Sequence, residues 1–140
     1  MAETLNAKLS WDSGLKFLAR SDSGHQVAVD STGRPGHAGP SPVELLLIAV
    51  AGCTAMDVVS ILEKMHEPLK GLDVEIRGCR AQSNPKYFTE MAITYHARGA
   101  GLARDKVERA VELSQTTYCS VIATLRPDCR VSTSIELSEG

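Results

Sequence analysis

The strongest constraint on this chain is one capped, apolar run near its middle. Ser41-Pro42-Val43-Glu44 places Ser at an N-cap, Pro at the first helical position and Glu at the third. That is a capping box with the favoured proline, so a helix must begin there. Pro68 cannot continue it, so the helix can extend to about residue 67. Its first half, Leu45-Leu46-Leu47-Ile48-Ala49-Val50-Ala51, is apolar on every face, the pattern of a helix buried all round. A chain of 140 residues is one domain by length. It struggles to surround ~36 Å of helix by itself. Burial against a second copy is therefore expected.

The flanking segments alternate with period two. Residues 5–11 and 15–20 read as a hairpin across Asp12-Ser13-Gly14, and 26–30 as a short third strand. Residues 31–41 are loop. Leu72, Val74 and Ile76 alternate with charged residues, and Met91, Ile93 and Tyr95 alternate with Ala92, Thr94 and His96. Ser83-Asn84-Pro85-Lys86 is the turn between these strands. A second helix is expected to open at Asp105, with Glu108 completing a capping pattern and Val107, Ala110, Val111 and Ser114 inside. Gln115-Thr116-Thr117 ends it, a short helix 120–125 follows, and the last strand covers 131–137. The order βββ-α-ββ-α-β, dominated by hairpins, gives an α+β fold with mainly antiparallel sheets around the long helix.

The formal net charge of −2 offers no field for a phosphate backbone, and one Trp, three Tyr and two Phe are too few for a stacking surface. Nucleic acid is not an expected partner. No charged head precedes an apolar stretch at the N-terminus, and the apolar segment 43–55 is shorter than a bilayer span. A cytoplasmic protein without a membrane partner is expected. There the four cysteines, Cys53, Cys79, Cys119 and Cys129, are reduced at rest. They contain no Cys-x-x-Cys, and the four histidines show no ligand spacing, so neither metal nor cofactor is expected.

Cys53 lies about eleven residues into the central helix, too far from its N-terminus for the dipole to stabilise a thiolate. Gly52 beside it suggests close approach of another backbone or a ligand, and Asp57, four residues on, opposes a thiolate. Cys119, at the start of a short helix, is better placed for one. On local grounds each also reads as a small packed hydrophobe. Glu44 has a structural task in the capping box. Nine residues from Cys53, at ~100° each, it faces the opposite side of the helix.

Ser41-Pro42-Val43-Glu44-Leu45-Leu46, Ala51-Gly52-Cys53, Asp57-Val58-Val59 and Tyr118-Cys119-Ser120-Val121 resemble the OsmC/Ohr superfamily, in the same order along nearly the whole chain. The sequence Gly-Cys-Thr-Ala-Met-Asp-Val-Val is similar to a less characterised OsmC-like branch. The resemblance implies an intertwined homodimer and thiol-dependent reduction of organic hydroperoxides. Cys53 would attack the peroxide and become a sulfenic acid, Cys119 would condense with it to a disulfide, and a dithiol such as a protein-bound lipoyl group would restore both. Glu44 corresponds to the family's glutamate, but one position later, with Val43 directly after the proline. The turn arginine of the hydroperoxide branch is replaced by Asp12-Ser13-Gly14-Leu15-Lys16, leaving Lys16, Arg20 or Arg34 as basic substitutes. A non-catalytic small-molecule-binding dimer is the alternative.

Overall fold

The structure is a computed structural model describing residues 2–140. It divides into two compact units, one reaching to Leu46 and the other Leu47–Gly140.

The first unit is an antiparallel three-stranded sheet, β1 (Ala7–Ser13), β2 (Lys16–Ser21) and β3 (Gln26–Val29), in that order. Gly14 turns the first hairpin at φ 54°, a left-handed conformation that suits glycine. The Trp11 indole N–H donates to the Gly14 carbonyl at 2.9 Å. After β3 the chain is folded back on Asp30, whose carboxylate accepts the backbone N–H groups of Ser31 (2.7 Å) and Ala38 (3.0 Å).

Helix α1 (Pro42–Lys64) starts in this unit and continues into the next. Its expected capping box forms in both directions: Glu44 N–H donates to Ser41 Oγ at 3.2 Å, and Ser41 N–H donates to Glu44 Oε1 at 2.9 Å. The helix stops three residues short of the expected end. His66 adopts φ 59°, and the Glu67 and His66 N–H groups return to the Leu62 and Glu63 carbonyls, both at 3.0 Å. This Schellman closure satisfies the last carbonyls before Pro68 is reached.

The second unit holds β4 (Gly71–Arg80), β5 (Phe88–Arg98) and β6 (Arg130–Ser138), in that order. β4 and β5 form the expected antiparallel hairpin, whereas β5 and β6 run parallel, with Met91 opposite Val131. A parallel pair needs a crossover. It is built from α2 (Arg104–Leu113), a π-helical turn (Ser114–Tyr118) and α3 (Ser120–Thr124). Three of the four strand pairings are antiparallel, so the α+β class holds. The core alternates along β5 as Met91, Ile93, Tyr95 and Ala97, and continues with Val107, Ala110 and Val111 of α2.

The expected cap of α2 does not form. Arg104 is the first helical residue, Ala103 takes the N-cap position, and no side chain caps it. The Ala103 N–H instead donates to Glu67 Oε1 at 2.9 Å. A distant carboxylate thus supplies the bond that a local Glu108 would have made.

Within one chain, α1 buries a single stripe, Val50, Thr54, Val58 and Leu62. These follow one another every four residues, along one face. The opposite side leaves Ile48 58% and Met56 74% exposed. The whole helix is longer than the segment 43–55 and, by length and composition alone, long enough to cross a bilayer. Its buried stripe is nonetheless hydrogen-bonded to the sheet through Thr54 and Tyr95 at 2.8 Å. Leu62 is completely buried, so Leu62→Ala should lower the unfolding free energy by about 2–5 kcal/mol. Urea denaturation measures this, and a loss below about 1 kcal/mol would contradict the packing.

Candidate functional site

Three hydroxyl-bearing residues of the second unit sit at core positions, Thr54 on α1, Tyr95 on β5 and Ser114 on the π turn, with Gln115 beside them. Thr54, Tyr95 and Ser114 are fully buried. Buried hydroxyls must find partners, and these find one another. Thr54 Oγ1 lies 2.8 Å from Tyr95 Oη and 2.7 Å from Ser114 Oγ. Ser114 Oγ donates to Asp57 Oδ2 at 2.9 Å, and Gln115 Nε2 donates to Tyr95 Oη at 2.9 Å. Gln115 also exchanges hydrogen bonds with Thr133 of β6, at 2.9 and 3.1 Å.

The direction of this chain follows from counting protons. The Asp57 carboxylate only accepts, so Ser114 donates to it and must accept from Thr54. Thr54 in turn accepts from Tyr95, which accepts from Gln115. Burial, the largest effect, pushes the Tyr95 phenol up, against its hydrogen bonds with Thr54 and Gln115, which lower it. It therefore keeps the proton it donates.

The π turn brings the second cysteine in. The Cys119 N–H reaches back five residues to the Ser114 carbonyl at 2.7 Å. Cys119 itself is extended, at φ −74° and ψ 101°, and caps α3 by accepting the Ile122 N–H on its sulfur at 3.4 Å. Cys53 Sγ, Cys119 Sγ and a carboxylate oxygen of Asp57 then all lie within 4.8 Å of one another. Cys53 and Asp57 are half-buried and Cys119 is buried. Cys79 and Cys129 are free thiols outside this cluster.

The electrostatics of Cys119 reverse the expectation from its cap position. Burial, the largest effect, pushes its thiol up from 9.0 to about 11; the Ile122 N–H opposes this, and the neighbouring Cys53 adds to it. Desolvation of the charged form outweighs a helix terminus only five residues long. Glu44 serves in the capping box. A side chain at Gly52 would meet nothing within 4 Å beyond its own helix, so among the described residues no backbone approaches it closely. Lys16 and Arg20 lie on β2 and Arg34 in the loop after β3; Lys16 pairs with Asp12 at 3.7 Å. Among the described residues, no Lys, Arg or His is hydrogen-bonded or ion-paired to Cys53, Asp57 or Cys119.

The family model described as OsmC-like protein matches residues 34–134, across both cysteines. The chain belongs to the OsmC-like family. It is 38% identical over 133 residues to Protein YhfA of Escherichia coli strain K12, covering 95% of this chain and 98% of that protein. A hypothetical protein from Aquifex aeolicus VF5 superimposes with a TM-score of 0.89 at 29% identity, covering 99% of each chain. The organic hydroperoxide resistance protein OhrB of Bacillus subtilis shares the fold at a TM-score of 0.63 and 16% identity, over 97% of this chain and 98% of its own.

Because the folded Cys119 thiol holds its proton more tightly than an unfolded one, its contribution to stability is intact below about pH 9. It is lost as the pH rises from about 9 through about 11. The urea midpoint of the native protein should therefore fall more steeply over that window than that of Cys119→Ser. Parallel pH profiles would refute the burial argument.

Proposed function

We propose that this protein is a thiol-dependent peroxidase that reduces organic hydroperoxides, working as a homodimer in the cytoplasm, with the whole chain acting as one functional domain. The observation that carries this reading is the approach of the Cys53 and Cys119 sulfurs to within 4.8 Å, close enough for a small movement to join them. Membership of the OsmC-like family and the shared fold of hydroperoxide resistance proteins support the same class of chemistry.

Cys53 is the half-buried thiol on the rigid helix and meets the substrate first. Its sulfur attacks the terminal peroxide oxygen: an S–O bond forms, the O–O bond breaks, and an alcohol leaves with the thiol proton. The Cys53 sulfenic acid then condenses with Cys119, releasing water as the S–S bond forms. A dithiol reductant, such as a protein-bound lipoyl group, returns both thiols by exchange. Cys119 suits the resolving role because burial keeps it protonated and unreactive until a sulfenic acid stands beside it. Glu44 holds the start of α1 through the capping box, and it would reach Cys53 only from the second copy of a homodimer.

The homodimer is supported by the uncovered side of α1, where Ile48, Met56 and Val59 are exposed, and, separately, by Leu9 and Trp11 on the exposed β1. So much apolar surface on a small chain is an interaction face. Light scattering should give twice the 15.0 kDa chain mass, and Met56→Glu should shift it towards one chain mass. A native monomer would overturn the assembly.

A second reading, a small-molecule-binding dimer without catalysis, is favoured because, among the described residues, no basic side chain is bonded to the cysteines. One experiment separates the two. One equivalent of cumene hydroperoxide should consume two thiols per chain and link Cys53 to Cys119, leaving Cys79 and Cys129 free. Cys53→Ser should not react. Cys119→Ser should react once, leaving a sulfenic acid that dimedone traps. Unchanged thiol counts in the native protein would hand the function to the binding reading.

A further inference from the structure

The trio of Cys53, Asp57 and Cys119 has the composition of a metal site, although nothing in its sequence spacing announces one. We propose that the reduced protein binds one borderline-soft divalent cation, of the Zn²⁺ class, per chain through the two sulfurs and the Asp57 carboxylate.

Three observations carry this. The first is geometry. Tetrahedral zinc with Zn–S bonds of ~2.3 Å holds its sulfurs ~3.8 Å apart. The three ligand atoms already lie within 4.8 Å of one another, so adjustments of about an ångström at most close the site. The second is the support behind each ligand. A metal-ligating carboxylate is normally itself held by a hydrogen bond. Asp57 Oδ2 accepts the Ser114 hydroxyl at 2.9 Å, and Ser114 is anchored through Thr54 to Tyr95 and Gln115. The Cys119 sulfur is held by the Ile122 N–H at 3.4 Å. The third is charge. Three groups that ligate as anions converge and, among the described residues, no Lys, Arg or His is hydrogen-bonded or ion-paired to any of them.

Two sulfurs and one oxygen select Zn²⁺ or Cd²⁺ over Mg²⁺ or Ca²⁺. Half-buried Cys53 and Asp57 leave one side open for entry and for a fourth ligand, a water. Binding expels the two thiol protons and forms two M–S bonds and one M–O bond, with no change of oxidation state. The metal and a Cys53–Cys119 disulfide exclude each other. A bound cation protects the thiols, and oxidation ejects it.

The test uses the reduced full-length protein and the metals alone, with no hydroperoxide, so it stands or fails apart from the peroxidase reading. Zn²⁺ withdrawn from a chromophoric chelator at neutral pH should reach one per chain, and Cd²⁺ should give a thiolate charge-transfer band. A large excess of Mg²⁺ should not compete. Cys53→Ser and Cys119→Ser should abolish the band. Ser114→Ala should weaken binding about 10- to 100-fold, and Asp57→Asn, which keeps an acceptor for Ser114, should weaken it further. Alkylating Cys53 in the native protein gives the same loss without a substitution, so misfolding cannot imitate it. Stoichiometry below one per chain, competition by Mg²⁺, or Zn²⁺ binding that survives alkylation would overturn the proposal.

Discussion

Three fully buried hydroxyls, on Thr54, Tyr95 and Ser114, form the interaction on which the second unit depends. Each left unpaired in the core would cost about 1–3 kcal/mol. Together they are fully satisfied, because Gln115 supplies the first donor and Asp57 the last acceptor. The bonds join α1 to β5 and the π turn, and Gln115 extends them to Thr133 on β6. No apolar packing of similar volume would fix the rotation of α1 about its axis so narrowly. That rotation decides where Cys53 and Asp57 point.

The π turn is the second consequence of the same hub. Ser114 meets Thr54 and Asp57 with its side chain while its carbonyl takes the Cys119 N–H at 2.7 Å. The widened turn lets the chain leave helical geometry at Cys119, where an extended residue starts α3. Such bulges are frequent at functional sites, since they re-aim side chains without unravelling the helix around them. Here the side chain re-aimed is a thiol, turned onto α1. The same move buries it, and burial overrules the helix terminus in setting its protonation.

What was readable in the sequence was local. The capping box at Ser41 and Glu44, the alternation of β5 and the inner stripe of α2 each depend on residues a few positions apart, and each formed as expected. What was not readable was made by distance. Glu67 reaches the α2 N-terminus from thirty-six residues away and replaces the local cap. β6 lies parallel to β5, because the crossover returns it to the same end of the sheet. The end of α1 was set by His66, a non-glycine residue in left-handed conformation, before Pro68 had any effect. The two cysteines were identified by resemblance, and the third member of their cluster was read only as an obstacle to a thiolate. A sharper signal was available. Thr54, Tyr95 and Ser114 each interrupt an apolar face, and three such interruptions in one core imply that they meet.

The hub also limits what the thiols can exchange protons with. Every hydroxyl in it points one way, from Gln115 through Tyr95, Thr54 and Ser114 towards Asp57. Reversing the chain would require Asp57 to donate, and would set the Gln115 amide hydrogen against a phenolic hydrogen. The buried network is therefore a fixed dipole array, not a wire that relays protons from the sheet. Its last donor is spent on Asp57 Oδ2, so the Asp57 carboxylate is the polar end of the network beside the sulfurs. Whatever proton, substrate oxygen or cation arrives at Cys53 and Cys119 must come from the half-exposed side of Cys53 and Asp57.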